Sequence, residues 1–165
     1  KKQIYEKLKL IRTNGIRDHM NASYTQLGFN FKFTDIQASI GIEQLKKLPN
    51  NIEKVKKIYL KYSKVIDKLS FLKLIPVNIE AGEIPIYIEI ICKDRKKLMN
   101  YLHNNNIQTR PFYPDLNTAN YFNSTKQFPN SNNFEKKGLF LPSGPGQSLE
   151  KIDCVLKALI SYNNI

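Results

Sequence analysis

The sequence predicts an α+β fold of the α/β class, with helices packed on a short mixed or antiparallel sheet. Three observations carry this. Ile52, Val55, Ile58, Tyr59, Tyr62, Val65, Ile66 and Leu69 recur at three-and-four spacing, the signature of a long amphipathic helix. Two apolar runs, Pro85–Ile91 and Leu139–Leu141, read as strands, the first β-branched. A closing segment from Ser148 to Tyr162 aligns Leu149, Ile152, Val155, Leu156, Leu159 and Ile160 on one helical face. The 165 residues suffice for one domain with a real core, and 41% hydrophobic with 24% charged residues is ordinary for a globular chain.

The remaining elements follow in order. Residues 1–13 form a helix with Ile4, Leu8 and Ile11 near one face. Residues 14–33, with Gly15, Asn21 and Gly28, lack a helical period and read as a loop of about 20 residues, a length that is usually functional or anchored. A helix runs from Thr34 to Leu48 and is broken by Pro49. Phe71–Ile75 is a short strand. Asp94 caps a helix that ends in Asn104-Asn105-Asn106. Ile107–Arg110 is a short strand, residues 115–133 are an irregular loop rich in Asn, Ser and Thr, and residues 132–137 form a short helix before the last strand. Ser148 caps the final helix.

Composition narrows the function. No apolar run approaches the roughly 20 residues of a membrane span, and no leader follows the charged start. The first residue is Lys, so the chain reads as a piece of something longer or a processing product. Cys92 and Cys154 are too far apart in sequence to announce a zinc site or disulfide framework, and a cytoplasmic setting is the simplest expectation. The net charge of +12 invites nucleic acid, but the lysines scatter over solvated helix positions, such as Lys54, Lys57 and Lys64, without interleaved aromatics. Only weak, salt-sensitive binding is expected, with no specific nucleic-acid partner and no membrane partner.

The most informative stretch is residues 28–48. Gly28 opens a turn, and Thr34 with Gln37 has capping-box spacing. Asn30 and Lys32 lie two apart, so in extended backbone they project to one side, an amide and an ammonium just ahead of a helix N-terminus. That arrangement suits an anion. A loop with ordinary polar residues is the commoner reading on local chemistry alone, given how readily short motifs match by chance. His19 lies in the loop before this motif, and His103 falls late in a helix, where a dipole contact accounts for it.

Gly28, Asn30, Gln37, Ala38, Gly41, Gln44 and Leu45 resemble the Gly-aromatic-Asn-x-Arg-x-x-x-x-Gln-Ala-Ala-x-Gly-x-x-Gln-Leu signature of the DegT/StrS-type sugar aminotransferases. Thr109-Arg110-Pro111-Phe112-Tyr113-Pro114 and Gly138-Leu139-Phe140-Leu141-Pro142-Ser143-Gly144 are similar to two further segments of that family, in the same order. The resemblance implies the small C-terminal domain of a fold-type-I pyridoxal-phosphate enzyme, with residues 1–33 the tail of the large domain and residues 34–165 the small domain. It implies amination of keto sugars carried on nucleotides, for surface polysaccharide, with an amino acid such as glutamate as donor.

The resemblance also implies a homodimer with a shared active site. Asn30 would reach the phosphate of the neighbouring subunit's cofactor and Lys32 would assist. Lys32 stands where the family usually has Arg, keeping the charge but losing the bidentate fork. Arg110 is expected to meet a carboxylate or phosphate unless it is a surface ion-pair partner. Tyr113 is expected to line a sugar pocket or fill the core. Asn117 replaces a family histidine, able to hydrogen-bond a hydroxyl but not to exchange a proton near neutral pH. The Gly-Glu-Gly-Gly segment that follows the Schiff-base lysine in this family is absent from the sequence, so no catalytic residue is expected in this chain and the chain alone is expected to be inactive. Two other readings stay open: a sugar dehydratase of the same family, and a non-catalytic interaction domain that pairs with a partner chain.

Overall fold

The computed structural model describes residues 1–17, 26–118 and 126–163. His19 and Asn21 therefore lie outside the described residues, as do residues 119–125 of the Asn-rich loop. The chain divides into two compact units, Lys1–Lys47 and Leu48–Ile165.

The first unit holds helix α1, Lys2–Arg12, and the first turns of helix α2, Asp35–Ile66. Between them the backbone folds onto the end of α1. The Phe29 amide donates to Ile11 O at 2.7 Å, Phe31 to Arg12 O at 3.0 Å, and Asn14 to Phe29 O at 3.0 Å. Thr13 and Asn30 thereby form an antiparallel bridge. The capping box is formed as its spacing predicts: the Thr34 amide donates to Gln37 Oε1 at 2.9 Å and the Gln37 amide to Thr34 Oγ1 at 3.2 Å.

Pro49 does not break the helix as expected; it lies inside α2. Proline removes one ladder hydrogen bond and costs about 3 kcal/mol in a helix interior. Five side chains beyond it, Val55, Ile58, Tyr59, Tyr62 and Ile66, are buried, and packing of such a face outweighs a single local defect.

The second unit is a four-stranded antiparallel sheet in the order β1–β2–β4–β3, where β1 is Leu72–Leu74, β2 Ile88–Cys92, β3 Arg110–Pro111 and β4 Gly138–Leu141. Helix α3, Arg95–Asn104, follows β2; helix α4, Pro129–Lys137, precedes β4; helix α5, Leu149–Tyr162, closes the chain. One face of the sheet carries Leu72, Leu74, Ile88, Ile90, Cys92, Leu139 and Leu141 into a core shared with Tyr62 and Ile66 of α2, Leu98 and Leu102 of α3, and Ile152 and Leu159 of α5.

Strand ends differ from expectation for local reasons. The second strand starts at Ile88, not Pro85, because Pro85 has no donor and the Ile86 amide turns back to Ile84 O at 2.9 Å. The third strand starts at Arg110, not Ile107. Asn106 adopts φ 58° and the Ile107 amide closes the end of α3 on Leu102 O at 2.9 Å, so these residues terminate a helix rather than pair. Asp94 sits at the N-cap of α3 without capping it, its carboxylate 3.7 Å from Lys97 Nζ. Helix α4 begins at Pro129, ahead of the expected residue 132, since proline is preset for the first helical turn. Ser148 caps α5 as expected, accepting from the Lys151 amide at 3.3 Å.

Tyr62 is fully buried, and its hydroxyl donates to Pro142 O at 3.0 Å, tying α2 to the segment after β4. Tyr62→Phe leaves that carbonyl unpaired and is expected to lower stability by about 1–3 kcal/mol. A urea midpoint unchanged from wild type would show that water satisfies the carbonyl instead.

Candidate functional site

The sheet face opposite the core carries one chemically distinctive row. Phe140 in β4 is paired with Glu89 of β2 on one side and Arg110 of β3 on the other. Such cross-strand neighbours stand roughly 4.5–5.5 Å apart at Cβ, so the Phe140 ring separates the acid from the base. Among the described residues Arg110 forms no ion pair. Its guanidinium lies 4.6 Å from the Phe140 ring centre, 5.1 Å from that of Tyr113 and 5.7 Å from that of Tyr87. Three rings fix the cation by cation–π attraction while leaving its donors open.

Two hollows meet at this row. One, of about 640 Å³, is lined by Arg110, Gln108, Ser143, Gln147 and Lys151, among others. The other, of about 330 Å³, is lined by Glu89, Phe112, Tyr113, Asp115 and Phe134. Tyr87 and Phe140 line both. Arg110 and Tyr113 are therefore brought together. Tyr113 is 70% exposed, so it does not fill the core. Asn117, half-buried in the 3-10 turn Leu116–Thr118, lines neither hollow.

Four residues of this surface escaped sequence reasoning: Tyr87, Glu89, Phe140 and Asp115. The alternation of β2, with Ile88, Ile90 and Cys92 inward, is the signal that would have turned Glu89 to this face. Asp115 is the buried charged residue among those described. Its carboxylate accepts from the Ser131 hydroxyl and from Asn132 Nδ2 at 3.4 Å, and its carbonyl accepts from Thr118 Oγ1 at 2.6 Å. It thus ties the Tyr113-Pro114 turn to the first turn of α4, whose dipole favours an anion there.

Burial pushes the Glu89 carboxyl above its ordinary value. A carboxyl with a raised folded-state pKa favours the folded state when protonated, and that preference fades as pH rises from the unfolded value through the folded one. Glu89→Gln is therefore expected to stabilise the chain at neutral pH and to flatten the fall in stability as pH rises above about 4.3, the ordinary glutamate value. Parallel urea curves at acid and neutral pH check this; an identical pH dependence in both proteins would refute it.

In the first unit Asn30 and Lys32 are both exposed. The rings of Phe29 and Phe31 stack at 5.1 Å, which puts these two residues on one side of an extended segment and sets Asn30 on the other. Lys32 forms no ion pair among the described residues. Gly28 makes the turn possible: a Cβ there would lie 2.2 Å from Gly15 N and 2.7 Å from Asn14 C, both backbone atoms. Gly15 itself has φ +73°, a conformation that favours glycine.

Residues 1–160 match the DegT/DnrJ/EryC1/StrS aminotransferase family. The chain is 25% identical, over 97% of its length and 45% of the relative's, to the UDP-4-amino-4,6-dideoxy-N-acetyl-beta-L-altrosamine transaminase of Campylobacter jejuni strain 81-176. It is 30% identical, over 80% of its length and 37% of the relative's, to the GDP-4-keto-6-deoxy-D-mannose 3-dehydratase of Escherichia coli O55:H7. Its fold superposes, with a TM-score of 0.81 at 19% identity, on 47% of Helicobacter pylori PseC, an aminotransferase involved in the biosynthesis of pseudoaminic acid; 99% of this chain is covered. The chain thus spans about half the length of the proteins it matches.

Proposed function

The chain belongs to the DegT/DnrJ/EryC1/StrS aminotransferase family, and from that premise we propose that it is the C-terminal part of a pyridoxal-phosphate-dependent aminotransferase acting on nucleotide-linked keto sugars. The observation that carries this is the Gly28–Gln37 segment, in which a backbone crossing and a capping box present Asn30 and Lys32 ahead of α2. The donor set suits the phosphate of the cofactor: an amide and an ammonium, both exposed, near the positive end of a helix. When bound, pyridoxal phosphate supplies the electron sink through which an amino group is exchanged for a carbonyl.

Each of the five candidate site residues then has a task. Asn30 and Lys32 hold phosphate, in a homodimer across the subunit boundary. Arg110, fixed by its three rings, binds an anionic group of the substrate; Tyr113 and Asn117 offer hydroxyl and amide to sugar hydroxyls. The products would serve surface polysaccharide, and the setting would be cytoplasmic. The domain reading is residues 1–33 as the tail of the large domain and 34–165 as the small domain.

No lysine is buried among the described residues, the environment that tunes a lysine for covalent work. Treated with pyridoxal phosphate and borohydride, this chain is expected to show scattered low-level labelling. A single stoichiometric lysine adduct would overturn the assignment of the catalytic lysine to the rest of the complete protein. The dehydratase relative favours a second reading, loss of water from the sugar. Incubating the complete protein with a nucleotide keto sugar and glutamate separates them: an aminated sugar supports the first, a deoxygenated sugar without lasting amination the second.

A further inference from the structure

Glu89 and Arg110 carry opposite charges on one row of the sheet, yet they do not pair. Among the described residues neither the Glu89 carboxylate nor the Arg110 guanidinium has an ion-pair partner. Both flank Phe140, Glu89 from β2 and Arg110 from β3. Two strand spacings put their backbones about 9–10 Å apart, a span that a glutamate and an arginine side chain together can close over a small residue.

The Phe140 ring fills that span. It is half-buried and held from three sides: Phe112 leans on it at 4.5 Å, and Tyr87 and Tyr113 meet it edge-on at 5.3 and 6.4 Å. It cannot swing aside without losing these contacts. The guanidinium rests 4.6 Å from its centre, the shortest of three ring contacts. Cation–π attraction engages the face of a ring and none of the arginine's N–H donors. A carboxylate would instead take two of those donors and neutralise the charge. The other titratable groups lining the hollow beside Glu89 are Asp115, Glu135, Tyr87 and Tyr113, so no cation reaches Glu89 from that side. Its carboxyl is raised above its ordinary value, in keeping with burial away from a cation.

We propose that Phe140 is a positioning residue for Arg110: its ring stands between the guanidinium and the Glu89 carboxylate and keeps the arginine free for an anionic group of the substrate. This role rests on the proposed reaction for the nature of the anion; the separation of the two charges does not.

Two measurements on the 165-residue chain read the separation. Phenylglyoxal modification of Arg110, followed by mass spectrometry, reports whether the guanidinium is free. Titration of the Glu89 carboxyl, followed by carbon-13 NMR, reports whether a cation sits beside it. Phe140→Ala is expected to slow Arg110 modification about two- to fivefold, the size of a half-exposed ion pair. Phe140→Val, which keeps a strand-forming residue, is expected to do the same. Both are expected to bring the Glu89 titration from above its ordinary value of about 4.3 to below it. Simple loss of the ring contact would speed modification, the opposite sign. Glu89→Gln added to either variant is expected to restore the wild-type rate. Glu89→Gln alone is expected to leave that rate unchanged, and Phe140→Tyr, which keeps the ring, to match wild type.

Faster or unchanged modification in both Phe140 variants overturns the role. So does slowing that persists when Glu89→Gln is added, which would mean repacking rather than pairing. Faster modification in Glu89→Gln alone also overturns it, because the pair would then form over the ring in the wild type. In the complete protein, Phe140→Ala is expected to raise KM for the nucleotide keto sugar with a smaller effect on kcat, and Glu89→Gln to reverse the rise. An unchanged KM beside a proven pair in the chain overturns the link to substrate and leaves the reaction standing. A complete protein without transamination, whose chain still shows the coupling of Phe140 and Glu89, sinks the reaction and leaves the separation.

Discussion

Gly138→Ala is expected to lower the unfolding free energy of the chain by about 2–3 kcal/mol and to distort the arginine–aromatic row beside it. Gly138 is buried at the head of β4. A Cβ built there falls 2.4 Å from Phe112 Cγ and Cδ2 and 2.5 Å from the Phe134 carbonyl oxygen. The carbonyl cannot withdraw freely, because it accepts the Gly138 amide that closes α4. The Phe112 ring cannot either: it stacks on Phe134 at 5.9 Å and leans on Phe140 at 4.5 Å. The Gly138 carbonyl is in turn held by the Phe112 amide at 3.1 Å and by Arg95 Nη1 at 3.2 Å. A methyl group therefore pushes on the strand that carries Arg110, whose shortest ring contact is with Phe140 at 4.6 Å. Urea unfolding followed by far-ultraviolet circular dichroism, with the near-ultraviolet signal as a check on ring packing, measures both effects. Wild-type stability with an unchanged near-ultraviolet spectrum would show that the ring yields without cost.

The same residue marks the limit of what the sequence discloses. Gly138 reads as part of a family segment, but its reason for being glycine is a ring brought from Phe112 by a strand pairing that no local pattern encodes. Local signals were legible. The helical faces of residues 52–66 and 149–162 and the Ser148 cap follow from periodicity and capping chemistry, and the structure has them. So does the Thr34–Gln37 capping box. Pro49 misled because its local cost is outweighed by burial several turns away. Ile107 misled because its amide serves the end of a helix instead of a ladder.

At the site, the partial legibility has a physical cause. Arg110 and Tyr113 are close in sequence and stay together in space at 5.1 Å. Phe140 reaches Arg110, and Glu89 flanks Phe140, through the β2–β4–β3 register; Tyr87 meets Arg110 from just before β2, and Asp115 is explained by Ser131, sixteen positions on. Such partners are chosen by tertiary pairing, so charge and spacing along the chain could not find them. Asn30 is proposed on local signals instead: a turn, two alternating positions and a cap lie within eight residues of it.

Asn30 also supports the prediction with the widest range of outcome. In the complete protein, Asn30→Ala and Lys32→Ala are each expected to weaken retention of pyridoxal phosphate about ten- to a hundredfold, the loss of roughly 1.5–3 kcal/mol for one charge-assisted contact. Neither is expected to unfold the chain, because both side chains are exposed and the segment is held by its backbone bonds to Ile11 and Arg12. Lys32→Arg is expected to retain the cofactor as well or better, since the guanidinium adds a planar fork for phosphate. Whether the site is shared is decided by mixing. One subunit lacks the lysine that bonds the cofactor; the other carries Asn30→Ala. In a two-fold dimer with shared sites, one site of the mixed pair combines both defects and the other combines the intact lysine with the intact Asn30. Activity should return to about half that of a wild-type dimer, while each parent homodimer stays strongly impaired. If Asn30 serves its own subunit, every site in the mixed dimer carries one defect and nothing returns. Verified mixed dimers without recovered activity would therefore rule out a site shared through Asn30.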